Sequence, residues 1–171
     1  MRLTTLMLTS TLVFLPFSLQ ATERVTYGVS EKALLADLDL ELPAKLDTGA
    51  VTASLSAQNI QIIERPDGDW VRFNLAFEDE RQGQVFERPV IRIAQIKRRA
   101  ADIPDDESQS YTERPVIAMP VCLGNTRHEI EVNLTDRTGF DYPMLIGSTA
   151  LQQFEAVVDP SLTYSAGSPN C

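Results

Sequence analysis

The chain has 171 residues, of which 43% are hydrophobic, and this length and composition predict a single globular domain with a packed core. Its formal net charge of −9 argues against a nucleic-acid-binding function, because affinity for phosphates depends on clustered Lys and Arg. The basic cluster Lys97-Arg98-Arg99 is short and is typical of a solvated turn.

The first 21 residues are predicted to be a signal peptide. Arg2 supplies a positive N-terminus, and the segment from Leu3 to Leu19 contains no charge and has an apolar centre. Pro16 and several Thr and Ser residues interrupt the segment, which favours a signal peptide cleaved after Ala21 over an uncleaved membrane anchor. We therefore expect a periplasmic or otherwise exported protein made of residues 22–171, with no transmembrane span in the mature chain.

From Val25 onward, short apolar runs separated by turn residues predict a succession of β-strands. Between Ala33 and Leu42 the even-numbered residues are all apolar, and Asp37, Asp39 and Glu41 stand between them, an alternation that is the mark of a half-buried strand. We predict one strand over this segment, with its even-numbered residues, from Leu34 to Leu42, facing the core.

Two β-hairpins are predicted further along the chain. The first joins residues 59–63 to residues 70–77 through a turn at Pro66-Asp67-Gly68-Asp69, because Pro, Asp and Gly favour tight turns. The second spans residues 115–134 and turns at Gly124-Asn125. Further strands are predicted at residues 85–86 and 90–93.

The C-terminal part contains the one predicted helix. It runs from Ser148 to Phe154 with Ser148 as its N-cap, and residues 156–158 predict a strand after it. The most polar stretch, residues 100–112, is predicted to be a mobile surface loop. Many short strands with turn signals at close spacing favour a closed or sandwiched all-β domain.

Cysteine and histidine are scarce. In an oxidising compartment, the two cysteines, Cys122 and Cys171, predict a disulfide that ties the C-terminus to the strand carrying Cys122. The alternative is a buried free thiol and a second thiol at a frayed terminus. With His128, these three side chains are too few for a His- or Cys-built zinc site or for a thiolate nucleophile. A carboxylate-rich cation site stays open as an alternative.

The segment with the strongest chemical signal is Asp47-Thr48-Gly49-Ala50. An Asp between a β-run and a Gly is ordinary turn chemistry in most proteins, but here small residues on both sides of Gly49 let the backbone fold tightly and present amide N–H groups to the carboxylate. A second element, Leu145-Ile146-Gly147, lies much later in the chain, just ahead of the predicted helix. Together the two elements indicate a functional site.

These residues resemble the retropepsin-like aspartic proteases, and more closely a bacterial family labelled ATP-dependent zinc proteases. The resemblance rests on Lys45-Leu46-Asp47-Thr48-Gly49-Ala50, on Tyr142-Pro143-Met144-Leu145-Ile146-Gly147 and on the ending Val157-Val158-Asp159-Pro160-Ser161. It covers about Val25 to Tyr164. The zinc of that label finds no support, because His and Cys are too few. The ATP finds none either, because no Gly-rich phosphate loop with Lys and Ser/Thr is present. We therefore expect no cofactor.

The resemblance implies an all-β, retropepsin-like closed barrel with one short C-terminal helix, acting on peptide or protein substrates. Aspartic proteases need two facing carboxyls that share a proton. Because the chain has a single Asp-Thr-Gly, the resemblance implies a symmetric homodimer with Asp47 of each subunit at the twofold axis. Thr48 would brace the pair, Gly49 would supply an amide, Ala50 would complete the loop, and Leu145-Ile146-Gly147 would pack beneath it.

Two departures from the family pattern motivate an alternative. Ser56 stands where the family often has His, and Ser148 stands where it usually has Arg. The alternative is a catalytically inactive, retropepsin-like peptide-binding or accessory module that works with an amino-acid ligase system.

The remaining acidic residues have structural interpretations. Asp141 and Asp159 are predicted to be turn or capping residues, and Asp136-Arg137 an exposed turn pair. By the same resemblance, the hairpin at residues 66–69 stands at the place in the chain where a retropepsin has its flap, a hairpin that closes over substrate.

Overall fold

The computed structural model describes residues 24–78, 81, 83–97 and 110–171. The predicted signal peptide and most of the loop predicted at residues 100–112 lie outside these ranges. In chain order the elements are β1 (Val25–Leu35), β2 (Leu40–Asp47), β3 (Ala53–Arg65), β4 (Gly68–Leu75), β5 (Val85–Pro89), β6 (Arg92–Lys97), β7 (Tyr111–Leu123), β8 (Thr126–Thr135), β9 (Met144–Gly147), α1 (Ser148–Gln153) and β10 (Ala156–Thr163).

Six of the strands close into a barrel. They follow the order β1-β2-β9-β3-β8-β7, and β7 returns to pair with β1. Strand β10 pairs with β1 and β6 pairs with β7, while β4 and β5 form a ribbon attached to β3. The expected all-β, retropepsin-like closed barrel with one short helix is confirmed.

Alternating side chains fill the barrel. In β2, Leu40, Leu42, Ala44 and Leu46 are buried, and the residues between them are exposed, because successive side chains of a strand point to opposite faces. Each large apolar side chain buried in this way contributes about 1.5–3 kcal/mol. Packing of these side chains in the core therefore fixes the position of β2 and of its last residue, Asp47.

The prediction of one strand over residues 33–42 is wrong. The chain turns at residues 36–39, where Asp39 has a φ of 48°, and Leu35 pairs with Leu40 across the resulting hairpin. Directly paired residues project to the same face of a sheet, so Leu35 joins Leu40 in the core and Leu34 is only partly buried. The apolar alternation runs through the turn and hides it.

Both predicted hairpins are confirmed, with turns after Arg65 and after Leu123. Two details differ from the prediction. Val90 and Ile91 lie between β5 and β6 rather than in a strand, and β7 already begins at Tyr111.

The helix is also capped differently from the prediction. Gly147 is its N-cap, and no side chain makes a capping hydrogen bond, so the assignment of Ser148 as the N-cap is wrong. No helix in the described ranges is long and apolar enough to cross a bilayer.

The C-terminal tail is fixed to the barrel by several contacts. The predicted disulfide between Cys122 and Cys171 is confirmed. In addition, the fully buried Glu31 carboxylate accepts hydrogen bonds from the Ser165 N–H and hydroxyl and from the Ala166 N–H, at 2.6–3.1 Å. These contacts hold the last residues of the chain against β1 and β7.

Candidate active site

Asp47 is the last residue of β2, and its side chain is partly exposed. Strand β2 runs parallel to β9, with Asp47 paired to Gly147. The chain then leaves the sheet through residues 48–52, where the Gly49 N–H donates to Asp47 Oδ1 at 2.9 Å. Thr48 and Gly49 are exposed and Ala50 is partly exposed. The loop therefore presents a carboxylate at the surface, oriented by a backbone amide.

The loop rests directly on the junction between β9 and α1. The Ser148 N–H donates to the Ala50 carbonyl at 2.7 Å, and the Thr149 N–H donates to the Val51 carbonyl at 3.1 Å. The first N–H groups of a helix have no partner within the helix, and here the loop carbonyls satisfy them. In the motif below the loop, Ile146 and Gly147 are buried and Leu145 is partly buried.

Gly147 leaves no space for a side chain. A Cβ at this position would lie 2.6 Å from the Val51 carbonyl oxygen and 2.8 Å from Thr52 C, both of them backbone atoms. The Asp47 loop can approach β9 this closely only because residue 147 is glycine.

We expect Gly147→Ala to lower the free energy of unfolding by about 1–3 kcal/mol, because the Cβ forces the loop backbone away from β9. Denaturant unfolding measures this change. The matched control is Gly139→Ala, where an added Cβ meets no atom within 4 Å. Equal stabilities of the two variants would contradict the close approach of loop and strand.

Arg137 is a functional candidate that the sequence did not reveal. It was predicted to be exposed, but only 8% of its surface is accessible, whereas Asp136 is exposed as predicted. Its Nη1 donates to Ser54 Oγ at 3.0 Å and its Nε to the Tyr142 carbonyl at 3.2 Å. The guanidinium also stacks on the Phe140 ring at 4.7 Å.

A second arginine is partly buried near the first. Burial lowers the pKa of the Arg137 guanidinium, Arg114 lowers that pKa further, and the Asp47 carboxylate raises it. Burial likewise lowers the pKa of Arg114, whose Nε is buried without a hydrogen-bond partner. Two cations that repel each other are therefore held close to the Asp47 loop, and arginine side chains stay charged in proteins.

The two larger clefts that border the loop have charged linings. The first, of about 390 Å³, is lined by Asp47 together with Lys45, Arg137 and Asp141, and we call it the Asp47 cleft. The second, of about 610 Å³, lies between β6 and residues 49–52, and we call it the basic cleft. Its charged lining residues, within the described part of the chain, are all cationic: Arg92, Lys97, Arg114 and Arg137. Arg137 thus borders both clefts.

Other residues considered in the sequence lie elsewhere or have structural roles. The hairpin tip at residues 66–69 lines neither of these clefts, so the structure does not place it as a flap beside Asp47. Asp159 accepts hydrogen bonds from Ser161, and His128 packs edge-on against Phe154. Within the described ranges, no three His, Cys, Asp or Glu side chains cluster as a possible metal site.

The structure shows the contacts of Ser56 and Ser148, the two residues that depart from the family pattern. Ser56, in the position of the family's His, is buried, accepts the Arg137 N–H at 3.0 Å and donates to the Ala76 carbonyl at 3.3 Å. Ser148, in the position of the family's Arg, is partly buried at the start of α1. Ser56 therefore helps to hold Arg137 in place.

Comparison with known proteins places the whole described barrel in one group. Residues 26–169 match the RimB-like family, described as the retropepsin-like aspartic endopeptidase RimB. The crystal structure of Lpg0085, a Legionella pneumophila protein of unknown function, superimposes with a TM-score of 0.67 and 37% sequence identity. The superposition covers 84% of this chain and 99% of the Legionella chain.

Longer relatives carry a similar segment. Proteins named probable alpha-L-glutamate ligase from Shewanella pealeana and Desulfotalea psychrophila are 32% and 31% identical over 126 and 128 residues. Each match covers 74% of this chain but 26% of the ligase. The chain therefore spans about a quarter of the length of these relatives.

Proposed function

Because the chain belongs to the RimB-like family of retropepsin-like aspartic endopeptidases, we propose that it hydrolyses peptide bonds as a symmetric homodimer. The observation that carries this proposal is the surface position of the Asp47 carboxylate. The Gly49 amide orients it, and the next two loop residues, Thr48 and Gly49, are exposed. A partner subunit related by a twofold axis can approach such a loop and supply the second carboxylate.

The chemistry follows from two carboxyls that share one proton. The ionised Asp47 takes a proton from the attacking water, and the protonated Asp47 of the other subunit donates to the carbonyl oxygen of the scissile bond. Like charges at close range favour this singly protonated pair. Gly147 and α1 act indirectly, by holding the loop.

The basic cleft supports an acidic peptide as the substrate. On a chain with a net charge of −9, the described charged residues lining this cleft are all cationic. Arg92 is already paired with Glu131 at 2.6 Å, which leaves Arg114, Arg137 and Lys97 to bind carboxylates. A twofold axis would repeat the cleft on both sides of the scissile bond. The glutamate-ligase names of the relatives suggest glutamate as the acidic residue.

We expect peptides with Glu beside the scissile bond to be cleaved faster than matched peptides with Gln. Replacing Arg114 with Gln should reduce kcat/KM for the Glu peptide by about 10- to 100-fold, because a hydrogen bond to a charged group is worth about 1.5–3 kcal/mol, and should barely affect the Gln peptide. Arg127→Gln, on the exposed face of β8, makes the same charge change away from the clefts. Equal effects of Arg114→Gln on both peptides would contradict an acidic substrate.

We also propose an exported location. The Cys122–Cys171 disulfide supports it, because disulfides persist in oxidising compartments. Detection of the protein in a periplasmic fraction, shortened by the predicted 21 residues, tests this location.

A peptide-binding module without catalysis is the second candidate function. It is favoured by the matching segment in proteins named as ligases. Ser56 and Ser148, which by the resemblance stand where the family has His and Arg, favour it as well. Under this alternative the protein binds acidic peptides without cleaving them. Replacing Asp47 then leaves the peptide affinity unchanged, and no cleavage is seen with or without the replacement.

A further inference from the structure

A larger cleft, of about 760 Å³, adjoins the Asp47 cleft. Arg137, Phe140 and Asp141 line both of them, so the two clefts meet along these residues. Strands β3 and β4 contribute three amide side chains to the larger cleft, which we call the amide cleft: Gln58, Asn59 and Asn74. A peptide that is bound in the Asp47 cleft can therefore extend past Phe140 into the amide cleft.

A β-bulge in β3 holds Asn59 in an unusual conformation. The register of β3 against β4 shifts between Gln58 and Gln61, and Asn59, inside this bulge, has a φ of 52°. Such a left-handed backbone is uncommon outside glycine, and Asn is among the residues that tolerate it best. Bulges are frequent beside active sites, where they change the direction of a side chain. The backbone of β3 therefore departs from a regular strand at the point where it lines the cleft.

Hydrogen bonds determine which amide atoms are left for a ligand. Asn74 Nδ2 donates to two backbone carbonyls at 2.8 and 3.1 Å, so Asn74 Oδ1 is the atom that accepts a hydrogen bond from Asn59 Nδ2, at 3.1 Å. Gln58 Nε2 donates at 3.1 Å to the Asp136 carboxylate, which in its ionised form can only accept. Asn59 Oδ1 and Gln58 Oε1 therefore remain as acceptors for a bound molecule.

The described charged residues that line the amide cleft differ from those of the basic cleft. Glu78 and Asp141 present exposed carboxylates. Arg137 is the cation among them, but only 8% of its surface is accessible, and its guanidinium stacks on the Phe140 ring at 4.7 Å. The surface that this cleft offers to a ligand is therefore rich in hydrogen-bond acceptors and in negative charge.

A lysine or arginine side chain fits this surface. Phe140 is 65% exposed where the two clefts meet, and the apolar stem of such a side chain can pack along its ring. The cationic head can then donate to Asp141 and to Asn59 Oδ1. We propose that the amide cleft is a specificity subsite for a Lys or Arg in the flank of the substrate peptide. This inference rests on the proposed peptidase function, and it adds a second requirement to the acidic residue bound in the basic cleft.

The test uses pairs of peptides that share Glu beside the scissile bond and differ at one flanking position, which carries Lys or Gln. The position is moved stepwise outward from the scissile bond, and kcat/KM is measured for each pair. At one or two positions the wild-type protein should cleave the Lys peptide about threefold to fivefold faster than the Gln peptide, the effect expected of an ion pair that is open to solvent. A ratio near one at every position would overturn the proposal.

Two variants assign the preference to the amide cleft. Asn59→Asp keeps the shape of the side chain and adds a negative charge, so it should raise the Lys-to-Gln ratio about threefold. Asp141→Asn removes a negative charge and should bring the ratio close to one. Asp67→Asn makes the same charge change in an exposed turn outside the cleft and should leave the ratio at the wild-type value. A ratio that neither Asn59→Asp nor Asp141→Asn changes would show that the preference arises elsewhere.

Equilibrium binding separates this inference from the proposed function. Asp47→Asn is expected to bind the peptides without cleaving them, so their affinities, measured by fluorescence anisotropy, should show the same preference for Lys. Full activity in Asp47→Asn, or a wild-type protein that binds the Lys peptides more tightly but cleaves none, contradicts the proposed peptidase. Asp47-dependent cleavage without a preference for Lys contradicts only the subsite.

Discussion

Replacing Asp47 with Asn is expected to reduce peptide hydrolysis by about 10³-fold or more, while the barrel remains folded. The substitution keeps the size of the side chain and its ability to accept the Gly49 N–H, but it removes the group that exchanges protons with water and substrate. General acid–base catalysis contributes about 10²–10⁴ in rate, and both members of the pair are lost together in a homodimer. Initial rates with an acidic peptide measure the effect.

The control for this variant is Asp67→Asn. Asp67 is exposed in the turn between β3 and β4, outside both clefts beside the loop, and its replacement makes the same charge change. Rates for Asp67→Asn should stay close to wild type. Retained cleavage by purified Asp47→Asn would show that hydrolysis does not use this carboxylate and that the catalytic group lies elsewhere in the protein.

The largest expected effect on stability comes from the disulfide. Replacing Cys122 and Cys171 by Ser should lower the free energy of unfolding by about 4 kcal/mol, because the cross-link closes a loop over a sequence separation of 49 residues and restricts the unfolded chain. The wild-type protein in a reducing agent should lose a similar amount. Denaturant titrations with and without the reductant measure both values.

A smaller decrease in the free energy of unfolding would indicate that other contacts hold the C-terminal tail in place. Glu31 accepts three hydrogen bonds from Ser165 and Ala166 and can hold part of the tail without the cross-link. If neither reduction nor substitution changes the stability, non-covalent contacts such as these hydrogen bonds hold the tail, and the disulfide has no stabilising role.

Patterns that act over a few residues were visible in the sequence. Pro66-Asp67 and Gly124-Asn125 mark turns by their own backbone preferences, so both hairpins could be predicted. Asp47-Thr48-Gly49 and Leu145-Ile146-Gly147 stand out as motifs, although only the fold shows that Gly147 is small because the loop backbone lies against it.

Features that depend on distant contacts were not visible. Arg137 follows an exposed Asp and reads as a turn residue, and its burial depends on Ser54 and Ser56, which are far away in the sequence on β3. Arg114 precedes the predicted hairpin at residues 115–134, and its place in the basic cleft depends on β6 and the Asp47 loop, which are distant in the sequence. The turn at residues 36–39 was missed for a different reason, since the alternation of apolar residues continues through it.

The central claim is that two chains share one catalytic centre, and the stoichiometry of a transition-state mimic tests it most directly. A glutamate-containing peptide with a statine-type hydroxyl can be titrated into the protein by calorimetry. We predict binding of about one peptide per two chains, abolished or strongly weakened in Asp47→Asn. Binding of one peptide per chain, unchanged when Asp47 is replaced, would contradict a shared centre built from this residue.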